Sequence, residues 1–446
     1  MGTPAAVGSG AEPALPAVRM PPGPSTPKIL QALLFVKRRR EFFDRLARRY
    51  DGAFTIHAAV FGPTVVVADP ELARQVFLAG PDSLRSLQPN HGRLLGSGSV
   101  FALDGAEHRR RRDLFSPFFH GERLRGYEPV FVEETLREIG GWPEGRRFAT
   151  HAPMKRITVN VILRTVFGAQ PAQLDELRRI IGTPLSLGAK LARMPIPSRS
   201  YGRFTPWGRL AEGRRRYEAA VDELIAQART DPTLADRTDV LALMLRCPYS
   251  DGTMMSRREI GDELLTMYAA SQESVAATLA WVFERISRRP QLLAELVAEA
   301  DAGGNTLRRA TIREAQRTSV VSDFVGRNVC APVFELGPWR IPRGASIMVA
   351  IPAIHRNPLA FPDPDRFDPQ RFLIGSPSAF QWLPYGGGSR RCPGSSFASL
   401  QMDVALRTIL QHFSIESTAA RAERPRSGGL NYAPGHGGRM TVHRRG

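Results

Sequence analysis

From Ser256 to Pro290, apolar side chains recur at helical spacing without a break. Ser256 and Glu259 form a capping box, in which each side chain satisfies a free N–H at the start of a helix. About 33 residues at ~1.5 Å each reach roughly 50 Å, enough to cross a whole domain. A helix that long must pass through a core, and an apolar fraction of 42% over 446 residues is enough to build one. Length alone favours two or three domains. No linker-like shift in composition divides the interior, however, which leaves one large domain open.

A second stretch carries chemistry. Leu383 to Phe397 reads Leu-Pro-Tyr-Gly-Gly-Gly-Ser-Arg-Arg-Cys-Pro-Gly-Ser-Ser-Phe. The three glycines permit backbone turns closed to other residues. Pro393 favours a first helical turn, and Phe397, Leu400, Val404, Ile409 and Phe413 follow at helical spacing. Cys392 is therefore expected at a helix N-terminus, where free N–H groups and a partial positive charge favour a thiolate. The arrangement presents a sulfur anion to a metal.

The segment resembles the haem-binding loop of the cytochrome P450 superfamily, aromatic-x-x-Gly-x-Arg-x-Cys-x-Gly. Tyr385, Gly388, Arg390, Cys392 and Gly394 fill those places in order, with Tyr385 where most members have Phe. The resemblance runs from about Pro21 to the C-terminus. It implies a mainly α fold with small β-sheets, a triangular helical prism with a long central helix and a haem b beside it. Residues 29–446 would form that single domain, after a flexible Pro/Gly/Ala-rich segment at 1–28.

The same resemblance assigns roles. Cys392 would be the axial ligand. His108 and Arg112, four apart on one helix face, match a helix that binds the haem propionates, joined by Arg327 and Arg390. Ala269-Ala-Ser-Gln-Glu-Ser-Val275 corresponds to the oxygen-activation signature Ala-Gly-x-(Asp/Glu)-Thr, so Glu273 and Ser274 would relay protons. Ser271 replaces the usual glycine and Ser274 the threonine, keeping a hydroxyl without the methyl that fixes its rotamer. Glu314 and Arg317, joined by Arg371 in Pro369-Gln-Arg-Phe372, would form a buried network holding the cysteine loop. The usual Arg-Pro-Pro is Thr318-Ser-Val-Val-Ser322 here. His355 is read as a structural histidine.

No flavin or nicotinamide motif is present, so electrons would come from a ferredoxin and its ferredoxin reductase. The reaction implied is insertion of one atom of O₂ into a hydrophobic small molecule. Arg109 to Arg111 and Arg391 are read as a basic face toward that acidic partner. Substrate contacts are expected in 82–101, 171–205, Ala269-Ala270, 318–325 and 428–432, of which 82–101 reads as loop and 171–205 as irregular.

Two other readings stand beside this one. The first is a haem-thiolate protein driven by peroxide, or one altered in oxygen activation through Ser271 and Ser274. The second, from the net charge of +18, is a binder of nucleic acid or an acidic membrane surface. The preferred reading involves no nucleic acid and at most peripheral membrane contact. Three cysteines form no disulfide framework and suggest a reducing compartment. Ile29 to Val36 is too short to span a bilayer and lacks the layout of a signal peptide. The expected location is the cytoplasm.

Overall fold

The computed structural model describes residues 17–59, 61–87, 91–191, 202, 204–427 and 431–446. Of the N-terminal segment expected to lack fixed structure, residues 1–16 lie outside these. The chain divides into two units, Met1–Leu87 with Gly326–Val349, and Gln88–Val325 with Ala350–Gly446.

The first unit is built on a five-stranded sheet. Ala53–Ala58 pairs antiparallel with Gly62–Val67, from Ala53 opposite Val67 to Ala58 opposite Gly62. Gly62–Val67 then pairs parallel with Ser346–Ala350, and the sheet continues through Phe324–Val329 to Leu84–Ser86. Val65 to Val67 and Ile347 to Val349 are wholly buried, as continuous apolar runs at the centre of a parallel pair should be. Asp69 caps the helix Pro70–Leu78, accepting from the Glu71 and Leu72 amides at 2.9 Å. An N-terminal helix, Lys28–Ala47, buries Phe35, Phe42, Phe43 and Leu46 and kinks at Arg38.

The second unit is helical. The expected long helix is Arg257–Ile286, 30 residues, with its capping box formed: the Ser256 amide donates to Glu259 at 2.8 Å and the Glu259 amide to Ser256 Oγ at 3.3 Å. It packs along His151–Thr165 and also touches Ser395–His412, which lies on Glu128–Ile139. The core between them includes Phe131, Met154, Leu163, Leu279, Phe283, Phe397 and Leu406. Phe397, on the first turn of Ser395–His412, is ringed by Phe131, Tyr127 and Phe119, with centroids at 5.0, 5.6 and 5.9 Å. These aromatic contacts anchor the chain immediately after Cys392.

Two expectations about loops need correction. Within 171–205, Leu174–Leu191 is a helix that buries Leu174, Leu177 and Ile181; residues 192–201 and 203 lie outside the described residues. Gly182 and Pro184 interrupt its pattern in the sequence, while acids in the first turn and a buried stripe sustain it. Within 82–101, Leu84–Ser86 is a strand and His91–Leu95 a short helix, with 88–90 outside the described residues.

Candidate active site

The cysteine loop is held by its own backbone. Gly386 and Gly388 both take φ of +67°, the left-handed region that favours glycine. This brings the Gly386 amide to the Leu383 carbonyl at 3.1 Å and the Cys392 amide to the Tyr385 carbonyl at 2.9 Å. The helix begins at Ser395 with Gly394 as its cap, two residues beyond Pro393. The Tyr385 hydroxyl lies 2.9 Å from both Gln316 Nε2 and Ser399 Oγ. The atom that distinguishes Tyr from the usual Phe therefore ties the loop to two helices.

Cys392 is exposed, yet burial pushes its thiol up, against the Gly394 N–H, Arg112 and Arg391, which pull it down. Cys392 thus reaches the surface while neighbouring atoms desolvate its sulfur. The middle of the long helix is also less buried than its flanks. The helix is buried from Gly261 to Thr266 and from Val275 to Glu284, but Ala270 is exposed and Ser271 to Ser274 are half-buried.

His108, Arg111 and Phe115 are the buried residues of Gly105–Phe115, and Arg112 flanks that face, half-buried. Among the described residues the Arg112 guanidinium has no hydrogen-bond or ion-pair partner. Desolvation lowers its pKa, and nearby Arg390 and Arg391 add to this against the pull of Cys392 and Asp113. Arg390 pairs with Asp104 and the Leu103 carbonyl, so at present it faces the cap of the same helix. Arg327 belongs to the first unit, buried on Phe324–Val329 with its guanidinium 5.9 Å from the Phe77 ring.

The basic face assigned to Arg109–Arg111 is only partly there. Arg109 is exposed. Arg110 pairs with Asp251 at 2.8 Å and stacks on Tyr249 at 3.6 Å. Arg111 is buried: it reaches Glu263 at 2.7 Å, Glu259 at 2.5 Å and the Gly98 carbonyl at 2.6 Å. Position 111 lies three residues from His108 and four from Phe115, which turns it inward onto the carboxylates of the long helix.

Glu273 is tied to the neighbouring helix. Its Oε2 accepts from Lys155 Nζ at 2.8 Å, and His151 Nε2 lies 3.0 Å from Oε1. Desolvation would raise its pKa, but the contacts with the His151 ring and the Lys155 ammonium outweigh it and hold the carboxyl at about 2. Ser274 Oγ donates to the Ala270 carbonyl at 3.2 Å, and Ser271 Oγ to that of Met267 at 2.7 Å. The sequence reading missed His151 and Lys155. Their spacing of four on one helix was the available signal.

Behind the loop, Arg317 makes a two-pronged contact with Glu314 at 2.7 and 2.8 Å, and both side chains are wholly buried. Arg371 Nε stands 3.4 Å from Glu314 Oε1, which also accepts the Asp368 amide at 2.8 Å. Arg317 further donates to the carbonyls of His355, Pro364 and Arg366 at 3.0, 2.8 and 3.0 Å. His355 Nε2 accepts the Leu383 amide at 2.7 Å, which carries the network into the cysteine loop.

A sequence model of the cytochrome P450 family matches residues 21–430. The chain is 55% identical over 435 residues to a protein of Mycobacterium tuberculosis named cytochrome P450 138, covering 98% of this chain and 99% of the relative. The chain belongs to the cytochrome P450 family. It is also 36% identical over 434 residues to cytochrome P450 135B1 of the same species, covering 95% and 91%. Its fold matches the solved structure of retinoic acid-bound cyanobacterial CYP120A1 with a TM-score of 0.83, at 20% identity, over 96% of this chain and 100% of that one. It matches the haem domain of cytochrome P450DA at 0.84, with 21% identity over 96% and 98%. The fold is thus that of a cytochrome P450, mainly α with small sheets. Members are monooxygenases that bind haem b through an axial cysteine thiolate. Among the described residues of this cytochrome P450, no helix is long and apolar enough to cross a membrane.

Proposed function

We propose that this cytochrome P450 inserts one atom of O₂ into a hydrophobic small molecule in the cytoplasm, reducing the other to water. A ferredoxin and its reductase supply two electrons, and two protons complete the balance. The observation that carries the reading is Arg112, a half-buried cation without a partner among the described residues, beside an exposed but desolvated Cys392. A thiol and a cation awaiting an anion are what a haem with its propionates needs.

Cys392 would hold the haem iron through its thiolate, with its amide fixed on the Tyr385 carbonyl. Haem so ligated supplies the O–O cleavage that thiolate electron density favours. Arg112 and His108 hold propionate oxygens. Arg390 joins them by leaving Asp104, and Arg327 by its place in the sequence. Ala270 to Ser274 leave room on the long helix. Ser274 turns its hydroxyl from the Ala270 carbonyl toward that space, and Glu273, ionised on Lys155, receives protons on the solvent side. A hydrophobic substrate accords with the retinoic acid bound by one structural relative.

The test is the reduced carbon-monoxide complex, whose thiolate-type spectrum Cys392→Ala should abolish. An unchanged spectrum would show that another residue is the ligand. Products formed with ferredoxin, reductase and O₂ should exceed those formed with peroxide; the reverse would favour a peroxygenase. Ligand-induced shifts of the haem spectrum then identify the substrate.

A further inference from the structure

The N-terminal helix carries apolar side chains on the wrong side for a core. Ile29, Leu30, Leu33 and Val36 are 85%, 41%, 47% and 55% exposed. Residues 29, 33 and 36 lie on one helical stripe, with 30 beside it. The opposite side, Gln31, Phe35, Phe42, Phe43 and Leu46, is buried.

The helix cannot roll to hide that stripe. Gln31 Nε2 donates to the carbonyls of Thr26 and Pro24 at 2.7 and 3.2 Å, and its Oε1 accepts the His57 amide at 2.8 Å. Rotation would strand a buried amide group and pull Phe35 out of its packing. The stripe is also framed by cations. Lys28 precedes it, Lys37 and Arg38 follow it, and all three are exposed. From residue 28 to 49 there are eight Lys and Arg against two acids.

We propose that this helix docks on the surface of an anionic lipid bilayer. Ile29, Leu30, Leu33 and Val36 enter the boundary of the acyl chains, while Lys28, Lys37 and Arg38 reach lipid phosphates with their long stems. Charge complementarity and the aliphatic content select this occupant. The stripe has no aromatic residue, whereas protein interfaces rely on Trp, Tyr and Arg anchors. The helix lies on the membrane and does not span it. The docking is independent of the chemistry at Cys392.

The test is flotation of the haem-loaded full chain with vesicles of phosphatidylcholine alone or mixed with phosphatidylglycerol. Binding should favour the anionic vesicles by about tenfold and weaken as salt is raised. Replacing Ile29, Leu33 and Val36 together by Ser should cut that binding by roughly tenfold, with the carbon-monoxide spectrum and melting temperature unchanged. Lys37→Glu with Arg38→Glu should remove the preference for anionic lipid. Three results would each overturn the proposal: no flotation with either vesicle, flotation untouched by the three serines, or a dimer in light scattering that those serines dissolve.

Discussion

A half-buried guanidinium beside other guanidiniums loses hydration, and Arg112 stands so next to Arg390 and Arg391. It has no ion-pair partner among the described residues, and only the weaker pull of Cys392 and Asp113 works against the loss. A propionate would supply the missing charge through hydrogen bonds worth about 1.5–3 kcal/mol. Arg112→Ala should therefore release haem roughly ten- to a hundredfold faster into a haem scavenger, and Arg112→Lys should recover part of the loss. An unchanged release rate would place the propionates elsewhere. Ser274→Ala should raise the reductant consumed per product by roughly twofold or more, since its hydroxyl lies on the half-buried stretch of the long helix; unaltered coupling would make the residue scaffold. His355 is a different case. Burial drives its pKa down to about 3, and only a neutral ring can accept the Leu383 amide. In the unfolded chain the ring titrates near 6.5. The native state therefore loses stability as pH falls below that value, by up to about 1.4 kcal/mol per pH unit. His355→Asn, which can accept a hydrogen bond without titrating, should flatten that slope in denaturant unfolding between the two pKa values. Equal slopes would mean that the ring is not neutral when folded. His355 was legible as a structural residue from its sequence surroundings, but its partner, 28 residues away, was not. Arg111 shows the same limit, because a run of four arginines does not reveal which one a fold turns inward onto Glu263.

At the scale of elements, what could be read depended on whether the deciding forces were local. The long helix was legible because its capping box and unbroken stripe lie within its own sequence. Leu174–Leu191 was not, because tertiary packing overrides the breakers Gly182 and Pro184. The cysteine loop draws its rigidity from elements distant in sequence: Tyr385 on Gln316 and Ser399, Leu383 on His355, and His355 on Arg317 and Glu314. Glu314 is the centre of that chain, with two arginines and one amide on its carboxylate. Glu314→Ala would strand the buried Arg317, a loss of about 3–5 kcal/mol for a broken buried pair. Melting should move to lower temperature, and the thiolate-type carbon-monoxide spectrum should disappear before helical circular dichroism does. Loss of both signals in one transition would show that the network supports the whole unit and not the loop in particular.

For the whole molecule the decisive quantity is charge, and the structure changes how the +18 should be understood. Arg111, Arg308 and Arg317 are buried, but each takes acids inside with it, namely Glu263, Asp403 and Glu314. Among the described residues the buried acids outnumber the buried arginines, so burial leaves the positive excess on the surface. An excess of that size steers an acidic electron donor over distances longer than any contact, until salt shortens the Debye length from about 10 Å at 0.1 M to about 3 Å at 1 M. The KM for an acidic ferredoxin should accordingly rise by about tenfold or more across that range, with kcat at saturating ferredoxin far less affected. Turnover driven by peroxide needs no protein partner and should stay flat over the same salts, which separates steering from salt effects on the fold. Arg109→Glu, on an exposed position of the helix bearing His108 and Arg112, should raise the ferredoxin KM and leave peroxide turnover alone. A KM indifferent to both salt and this reversal would mean that the donor docks through apolar contact, and that the surface charge serves another purpose.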